Sequence, residues 1–462
     1  MPKTKLENLR HLVRYGTAAD QKYLLKPFDA TYDAIIINAN ILAHMPNALA
    51  LTLQQLKKPF FIDPQTHAFQ HGAEYLESST ANGKIKRSIQ NLIEEYGEPI
   101  ATKVTQRKAL VPRDLASPNV LKEFCRNVVR FQSKTIDSLV SKGENAKYYA
   151  YLKRKGYKSD ISFSPTLIVA PYFYLTPQTF DVWLDLNLKC LHEVMAEEGK
   201  SGVRVAAQVV IDGSVLSNPE LIKKLADEYG KKPPAVFLLW VDAFIEQEAD
   251  ETQLKAYMDL IQQLSVHAPV INLYGGFFSV ALMVCGVLPR LTGVAHSLEY
   301  GESRPVVPVG GGVPVSKFYL PSLHSRLPFR FAFRAIRALG GLSSVSDYHS
   351  KVCNCGECVA VIKSNPEEDF YTFGRTTKKE VLRRGAPSSL EYPTPETKDH
   401  CVRHYMWCKH KEFTSKLACK ELLQSLAEAH KSLRGHLDLQ YVNQCAIWSK
   451  VIRERIEANA AK

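Results

Sequence analysis

The sequence lacks any apolar run approaching the roughly 18 residues that a membrane-spanning helix needs. Its first residues, Met1 to Lys5, are basic but lead into no apolar core, so we expect no export signal. The ten cysteines show no spacing typical of a disulfide framework. There is also no internal repeat and no low-complexity tract. These absences disfavour membrane proteins and secreted disulfide scaffolds, and they predict a cytoplasmic protein with reduced thiols.

Acidic residues are outnumbered, with 47 Asp and Glu against 59 Lys and Arg and a formal net charge of +12. Such an excess suits a polyanion such as nucleic acid, and a merely basic surface is the alternative. Lysines and arginines alternate with tyrosines between residues 142 and 158. Arg330, Arg334 and Arg337 would share one face of a helix. Both segments could contact phosphates, or could be solvated basic faces.

Unbroken apolar runs of strand length recur along the chain and are separated by helical patterns. The runs cover residues 32–40, 59–64, 166–170, 205–212, 235–242, 270–276 and 292–299. Runs without polar alternation are typical of parallel strands covered on both faces. Seven such strands, with an eighth at 314–318, predict an α/β fold of the (β/α)8 TIM-type barrel class. An open doubly wound sheet is the alternative.

Composition divides the chain into three predicted regions. Residues 1–30 are expected to form a helical lead-in, and residues 31–340 the barrel. A basic helical insertion interrupts the barrel at about 80–158. Residues 341–462 are expected to form a C-terminal zinc-binding and helical subdomain.

Several predicted strands end on a polar or small residue, and strand C-terminal ends form the active-site rim of such barrels. An aspartate there can also serve as the N-cap of the next helix, which is the simplest interpretation of Asp212 before Gly213. The strand-end residues are Asp63, Asp212, Asp242, Gly275, Gly276 and Glu299.

Cys353, Cys355 and Cys358 form a compact cysteine motif, and His404 and His410 follow after a gap. Three thiols this close in sequence can converge on one ion. Thiolate and imidazole are the ligands of closed tetrahedral zinc sites. The motif therefore predicts one bound Zn²⁺.

This motif, placed after a barrel-like run, resembles the zinc subdomain of the tRNA-guanine transglycosylase family. The resemblance implies that the fourth ligand is His404, since the family closes its site with a histidine that opens a helix. His400 and Cys401 are alternative fourth ligands. A site with four protein ligands has no open position, so this zinc would be structural.

The segment from Phe61 to Gln70 carries a second resemblance to the same family. It is similar to the family's motif of a strand-end aspartate followed by Phe-Gln. The resemblance implies that Asp63 is an acid/base residue. The family's nucleophilic aspartate has no counterpart on the run at 292–299, which leaves Glu299 or Asp242 as the nucleophile. The expected substrate pocket, with core packing as the alternative for the first two, consists of Gln208, Tyr274, Gly275 and Gly276.

The resemblance covers residues 32–413 and implies exchange of guanine for a 7-deazaguanine base such as preQ0 through a covalent carboxylate–nucleotide intermediate. The basic insertion and the altered turn after Asp63 favour the branch that modifies DNA. Alternatives are a tRNA-modifying enzyme, a non-catalytic zinc-containing subunit that binds nucleic acid, and an unrelated barrel hydrolase. The expected partners are DNA or tRNA, the free base, and an accessory protein or a second copy of the chain, with no membrane.

Overall fold

The computed structural model describes residues 9–16, 20–72, 75–77, 84–134, 139, 147, 150–151, 154–155, 165–198, 203–298, 301–307, 315–383 and 386–460. Eight parallel strands form a nearly closed barrel. The strands are β1 His11–Tyr15, β2 Ala34–Asn38, β3 Phe60–Asp63, β4 Ile168–Val169, β5 Val205–Asp212, β6 Val236–Asp242, β7 Val270–Asn272 and β8 Leu291–Ser297.

The strands are hydrogen-bonded in the order β3-β2-β1-β8-β7-β6-β5-β4. The remaining gap lies between β3 and β4, where the Thr166 N–H donates to the Phe60 carbonyl at 2.7 Å. The α/β fold of the (β/α)8 TIM type, predicted from alternating strand and helix patterns, is confirmed. Strands β5 and β6 are almost wholly buried, because side chains fill the barrel on one face and helices cover the other.

Helices follow the strands around the outside of the barrel and continue into the C-terminal region. They are α1 Gln21–Leu24, α2 Ala39–His44, α3 Pro46–Leu56, α4 Arg87–Tyr96, α5 Ile100–Thr105, α6 Pro118–Gln132, α7 Phe180–Glu198, α8 Pro219–Gly230, α9 Glu251–His267, α10 Phe277–Val284, α11 Phe329–Ala338, α12 Val345–Lys351, α13 Gly356–Val361, α14 Pro366–Asp369, α15 Pro395–Thr414, α16 Cys419–Leu433 and α17 Asn443–Ala460. None of those in the described ranges is long and apolar enough to span a membrane.

The prediction of a helical lead-in over residues 1–30 is wrong at its centre. Residues 11–15 form β1, which pairs with β2 on one side and β8 on the other. The five residues include His11 and Arg14, so the segment reads as polar in sequence although both side chains are buried.

The eighth strand expected at 314–318 is not part of the barrel. Strand β9, Lys317–Leu320, instead pairs antiparallel with β10, Ser325–Pro328, as a separate two-stranded sheet. The apolar content of this run reflects packing between the barrel and the C-terminal helices, which sequence composition does not distinguish from packing inside the barrel.

The segment between the cysteine motif and α15 contains an antiparallel hairpin of β11, Thr376–Arg383, and β12, Ala386–Pro393. A disulfide joins Cys285, at the end of α10, to Cys419, the first residue of α16, with Cα atoms 4.8 Å apart. The expectation that all cysteines are reduced is wrong for this pair. The two residues are separated by 134 positions, so sequence spacing gave no sign of it.

Candidate functional site

The C-terminal end of the barrel collects polar side chains directed into its interior. Alternate strand residues face inward, and apolar ones such as Leu12, Ile36 and Phe61 fill the centre. The residues two positions later on those strands are Arg14, Asn38 and Asp63, which form one hydrogen-bonded group.

Asp63, the last residue of β3, is fully buried, and its carboxylate accepts three hydrogen bonds. Its Oδ2 accepts from Arg14 Nη2 at 2.5 Å. Its Oδ1 accepts from Tyr172 Oη at 2.6 Å and from the Gln65 N–H at 3.1 Å. Arg14 also donates to Asn38 Oδ1 at 2.9 Å, which fixes the guanidinium beside the carboxylate.

The electrostatics of this group favour the ionised carboxylate. Burial alone would raise the pKa of Asp63, but the charge of Arg14 and the hydrogen bonds from Tyr172 and Arg14 together lower it below its usual value. Burial lowers the pKa of His67 to about 3, so its imidazole is neutral at physiological pH. Asp63 is therefore a carboxylate at neutral pH and does not carry a proton to donate.

A second carboxylate pair lies at the ends of β5 and β6, where Asp212 and Asp242 are register partners. The Tyr174 hydroxyl lies between them, with Oη 2.6 Å from Asp212 Oδ2 and 2.9 Å from Asp242 Oδ2, and its single proton can be donated to either. Asp212 also accepts from the Ser214 N–H at 2.8 Å and caps the turn that follows, as its sequence context suggested. Asp242, in contrast, caps no helix among the described residues.

Aromatic rings connect the two carboxylate groups across the end of the barrel. The His67 ring stacks on Tyr172 and meets Trp240 edge-on. The Trp240 ring lies 4.7 Å from that of Tyr274, and the Arg14 guanidinium lies 4.8 Å above the Tyr274 ring. This wall of rings is suited to hold a planar heterocycle.

Several buried polar atoms in this region have no hydrogen-bond partner among the described residues. Both amide atoms of Gln208, the Tyr274 hydroxyl, and Nε and Nη1 of Arg14 are in this state. Because buried polar groups are nearly always paired in native structures, these atoms mark a place where a polar ligand can bind. Of the two predicted pocket residues, Tyr274 lies against Arg14 and so beside Asp63, whereas Gln208 lies in the middle of β5, between the inward-facing Ala206 and Val210.

A short segment following β8, residues 301–307, covers part of this end of the barrel. The Trp240 indole N–H donates to the Arg304 carbonyl at 3.1 Å. The Val306 N–H donates to Asp242 Oδ1 at 2.8 Å, and the Val306 side chain packs into the apolar interior. We call residues 301–307 the strap. The fully buried Asp63 becomes accessible to a substrate only when side chains or the strap move.

Gly275 and Gly276, the other predicted pocket residues, lie just after β7. A Cβ at Gly275 would come within 2.5 Å of Asn272 Nδ2, and one at Gly276 within 2.8 Å of Glu246 Oε2 and 2.9 Å of Glu302 Oε2. The close approach of these side chains explains the need for glycine. Glu299, the other nucleophile candidate, lies outside the described residues.

The predicted metal ligands Cys353, Cys355, Cys358 and His404 converge in one buried cluster, with their ligand atoms all within 4.8 Å of one another. His404 Nδ1 lies 3.3 Å from both Cys355 Sγ and Cys358 Sγ. His404 Nε2 lies 2.7 Å from the Tyr319 carbonyl. If Nε2 carries the proton and donates it there, Nδ1 is free to bind an ion. The group could therefore hold a metal ion such as zinc.

The two alternative fourth ligands are directed elsewhere. His400 Nδ1 contacts Glu357 Oε1, and Cys401 Sγ lies 3.5 Å from the Phe373 carbonyl. The family resemblance implied that His404 opens its helix. That expectation is wrong, because α15 begins earlier, at Pro395. The extra turns continue the helix backwards from the cluster towards the β11–β12 hairpin.

Helix α15 also connects the cluster to the barrel. Lys409 is fully buried, and its Nζ lies 2.8 Å from Glu302 Oε1 in the strap and 2.8 Å from Glu412 Oε2. Tyr405 Oη donates to Glu302 at 3.3 Å. The helix thus directs His404 at the cysteines and the neighbouring Tyr405 and Lys409 at the strap.

Sequence reasoning did not identify Arg14, Tyr172, Tyr174 or Lys409. Tyr172 and Tyr174 follow a strand of only two residues, β4, whose continuation has no regular pattern. The alternation of Tyr172 and Tyr174 after a predicted strand end was the one available signal.

No family model matches the chain, and no curated protein matches it.

Proposed function

We propose that this chain is a base-exchanging transglycosylase that replaces guanine in DNA with a 7-deazaguanine base such as preQ0. The observation that carries the proposal is the set of unpartnered buried polar atoms on Arg14 and Tyr274 beside an ionised Asp63, with the unpartnered amide of Gln208 on the inward side of β5. A purine-like base offers hydrogen-bond donors and acceptors in one plane, and so can satisfy these atoms while it stacks against the aromatic wall.

The proposed reaction divides one displacement at C1′ of the nucleotide into two. A carboxylate attacks C1′ while guanine leaves with its bonding electrons, and the incoming base then displaces the carboxylate. The low pKa of Asp63 suits the attacking group better than the proton donor implied by the resemblance. We assign the attack to Asp63 and the proton transfer to Asp242, which Tyr174 links by hydrogen bonds to Asp212.

The metal in this proposal is one structural Zn²⁺ held by Cys353, Cys355, Cys358 and His404. Four protein ligands leave no position for a reactive water, so the ion would fix α13 and the middle of α15 to each other. Through Lys409 and Tyr405 the same helix supports the strap.

The proposed nucleic-acid partner requires a basic surface near the barrel. Arg330, Arg334 and Arg337 are all exposed on α11. Arg334 donates to the His436 carbonyl, and Arg337 pairs with Glu367 at 2.6 Å. The structure describes four of the basic and tyrosine residues in the segment 142–158. They are Lys147, Tyr151, Arg154 and Lys155. DNA as the substrate, rather than tRNA, rests on the resemblance and the net charge of +12.

The test is incorporation of radiolabelled guanine into duplex DNA and, in parallel, into tRNA by the purified full-length chain. Incorporation into DNA supports the proposal, and incorporation into tRNA alone transfers it to the tRNA-modifying alternative. Retention on nucleic acid without incorporation supports a non-catalytic binding subunit. Release of free sugar without incorporation supports a barrel hydrolase. Nucleoside mass spectrometry of cellular DNA and tRNA, with and without the protein, identifies the modified base.

A further inference from the structure

Helix α15 directs a second potential metal ligand at the cysteine cluster. Cys408 lies four residues after His404, one turn along the helix, so both side chains are on the same face. Cys408 Sγ is 3.9 Å from Cys353 Sγ and 3.6 Å from His404 Nδ1. Cys408 is also buried. Cys408 therefore lies at the edge of the group formed by three thiols and one imidazole, on the side of Cys353 and His404.

The distances are those expected between ligands of a single ion. Zn–S bonds of about 2.3 Å and Zn–N bonds of about 2.0 Å place tetrahedral ligand atoms roughly 3.5 to 3.8 Å apart. The separation of 3.9 Å between Cys353 and Cys408 is close to this range, and so is the separation of 3.3 Å between Cys355 and His404. On these distances alone, Cys408 is about as well placed beside Cys353 as His404 is beside Cys355.

A cavity of about 330 Å³ reaches one edge of the cluster. Cys353 and Cys408 line it, together with Lys411 and His349 on its wall, whereas Cys355 and Cys358 do not line it. An ion or a competing ligand that arrives through this cavity meets Cys353 and Cys408 first. The edge formed by these two thiols is thus the accessible side of an otherwise buried centre.

We propose that Cys408 is an alternative fourth ligand of the metal centre, able to replace His404 on a bound thiophilic divalent ion such as Zn²⁺. This inference rests on the proposed metal site. In the ordinary state the ion is bound by three thiolates and His404, and Cys408 is the free thiol at the cavity. When the imidazole is absent, Cys408 loses its proton to solvent and completes a four-thiolate site.

The experiment compares His404→Gln with the double variant His404→Gln/Cys408→Ser, both in the full-length chain loaded with Zn²⁺. Glutamine keeps an amide N–H that can donate to the Tyr319 carbonyl but lacks the imidazole. Metal content is measured by mass spectrometry of the ion, and the ligand atoms by X-ray absorption at the zinc edge. The matched control is Cys401→Ser. It removes a thiol from the same helix, one that is hydrogen-bonded to the Phe373 carbonyl and not directed at the cluster.

We expect His404→Gln to retain about one ion per chain with four sulfur ligands at about 2.3 Å. The double variant should lose the ion, and Cys401→Ser should keep three sulfurs and one nitrogen. Loss of the ion from His404→Gln, whether or not that variant folds, overturns the inference, as does retention with only three sulfurs. If the wild-type chain itself binds no ion, the proposed metal site is the part that fails.

Discussion

The guanidinium of Arg14 contacts the carboxylate of Asp63 at 2.5 Å, and both side chains are almost fully buried inside the barrel. Moving two charges out of water is costly, and their mutual attraction does not always compensate for that cost. Two nitrogens of Arg14 also lack partners among the described residues. A pair that is expensive to bury and incompletely satisfied is better explained by ligand binding than by stability, which makes it the centre of the proposed site.

Replacing Asp63 with asparagine tests its role as the attacking carboxylate. Because an amide cannot form the covalent intermediate, we expect the kcat/KM for base exchange to fall by at least about 10³-fold. The substitution also leaves the buried Arg14 without a counter-charge, so the variant should be less stable by about 3 to 5 kcal/mol. Guanine exchange and chemical denaturation measure the two effects.

The double variant Asp63→Asn/Arg14→Met separates chemistry from stability. Removing both charges should recover most of the lost stability and none of the exchange. By contrast, Asp242→Asn should slow exchange and still form a denaturation-resistant adduct with the nucleic acid. If Asp63→Asn forms that adduct and Asp242→Asn does not, the two roles are reversed.

Arg14→Met alone should change the pH dependence of the reaction. Arg14 offsets the effect of burial on the pKa of Asp63, so its removal raises that pKa. The ionised form is then lost at higher pH, and the acidic limb of the kcat/KM profile should move upward by about one unit or more. Arg14→Lys keeps a positive charge and should move the limb less. An unchanged limb in Arg14→Met would show that Asp63 is not the group responsible for it.

The strap and a bound base should compete for the same atoms. In the strap, the Val306 N–H donates a hydrogen bond to Asp242 Oδ1, and the Arg304 carbonyl accepts one from the Trp240 indole N–H. If the base binds there, guanine at saturation should increase hydrogen exchange in residues 301–307, measured by mass spectrometry on that peptide. In the Asp242→Asn variant, guanine should increase the hydrogen exchange of this peptide by a smaller amount. Greater protection of the peptide on adding guanine would place the base elsewhere or show that the strap closes over it.

The parts of the fold that could be predicted are those whose signal is local and continuous. Strands β5 and β6 are long apolar runs, so their positions and the polar residues at their ends were visible in sequence. Strand β1 was missed because only five residues form it and two of them are polar. Its omission also hid Arg14, since a charged residue in a supposed surface helix gives no reason to expect a buried ion pair.

In the metal cluster, too, some features could be predicted from local sequence and others depend on tertiary packing. Three of its cysteines lie within six positions, so their convergence could be predicted without knowing the fold. The position of Cys408 beside the cluster depends on where α15 begins and which face it directs inward, and both follow from packing against the barrel. The Cys285–Cys419 disulfide depends on tertiary structure in the same way.

Lys409→Met should separate the metal centre from the strap. The substitution keeps the apolar part of the side chain and leaves Glu302 and Glu412 buried without their shared cation, which should destabilise the fold by about 3 to 5 kcal/mol. The strap loses its support from α15, so we expect exchange activity to fall. His404 and the cysteines are untouched, so metal content should remain that of the wild type.

Lys411→Met is the matched control, because Lys411 is exposed on the same helix and its ammonium group donates to the side chain of Asn354. That variant should keep its stability, its ion and its activity. Adding Glu302→Gln to Lys409→Met removes one unpaired charge and should restore part of the stability without restoring the contact between helix and strap. If Lys409→Met exchanges bases as fast as the wild type, α15 does not position the strap for the reaction.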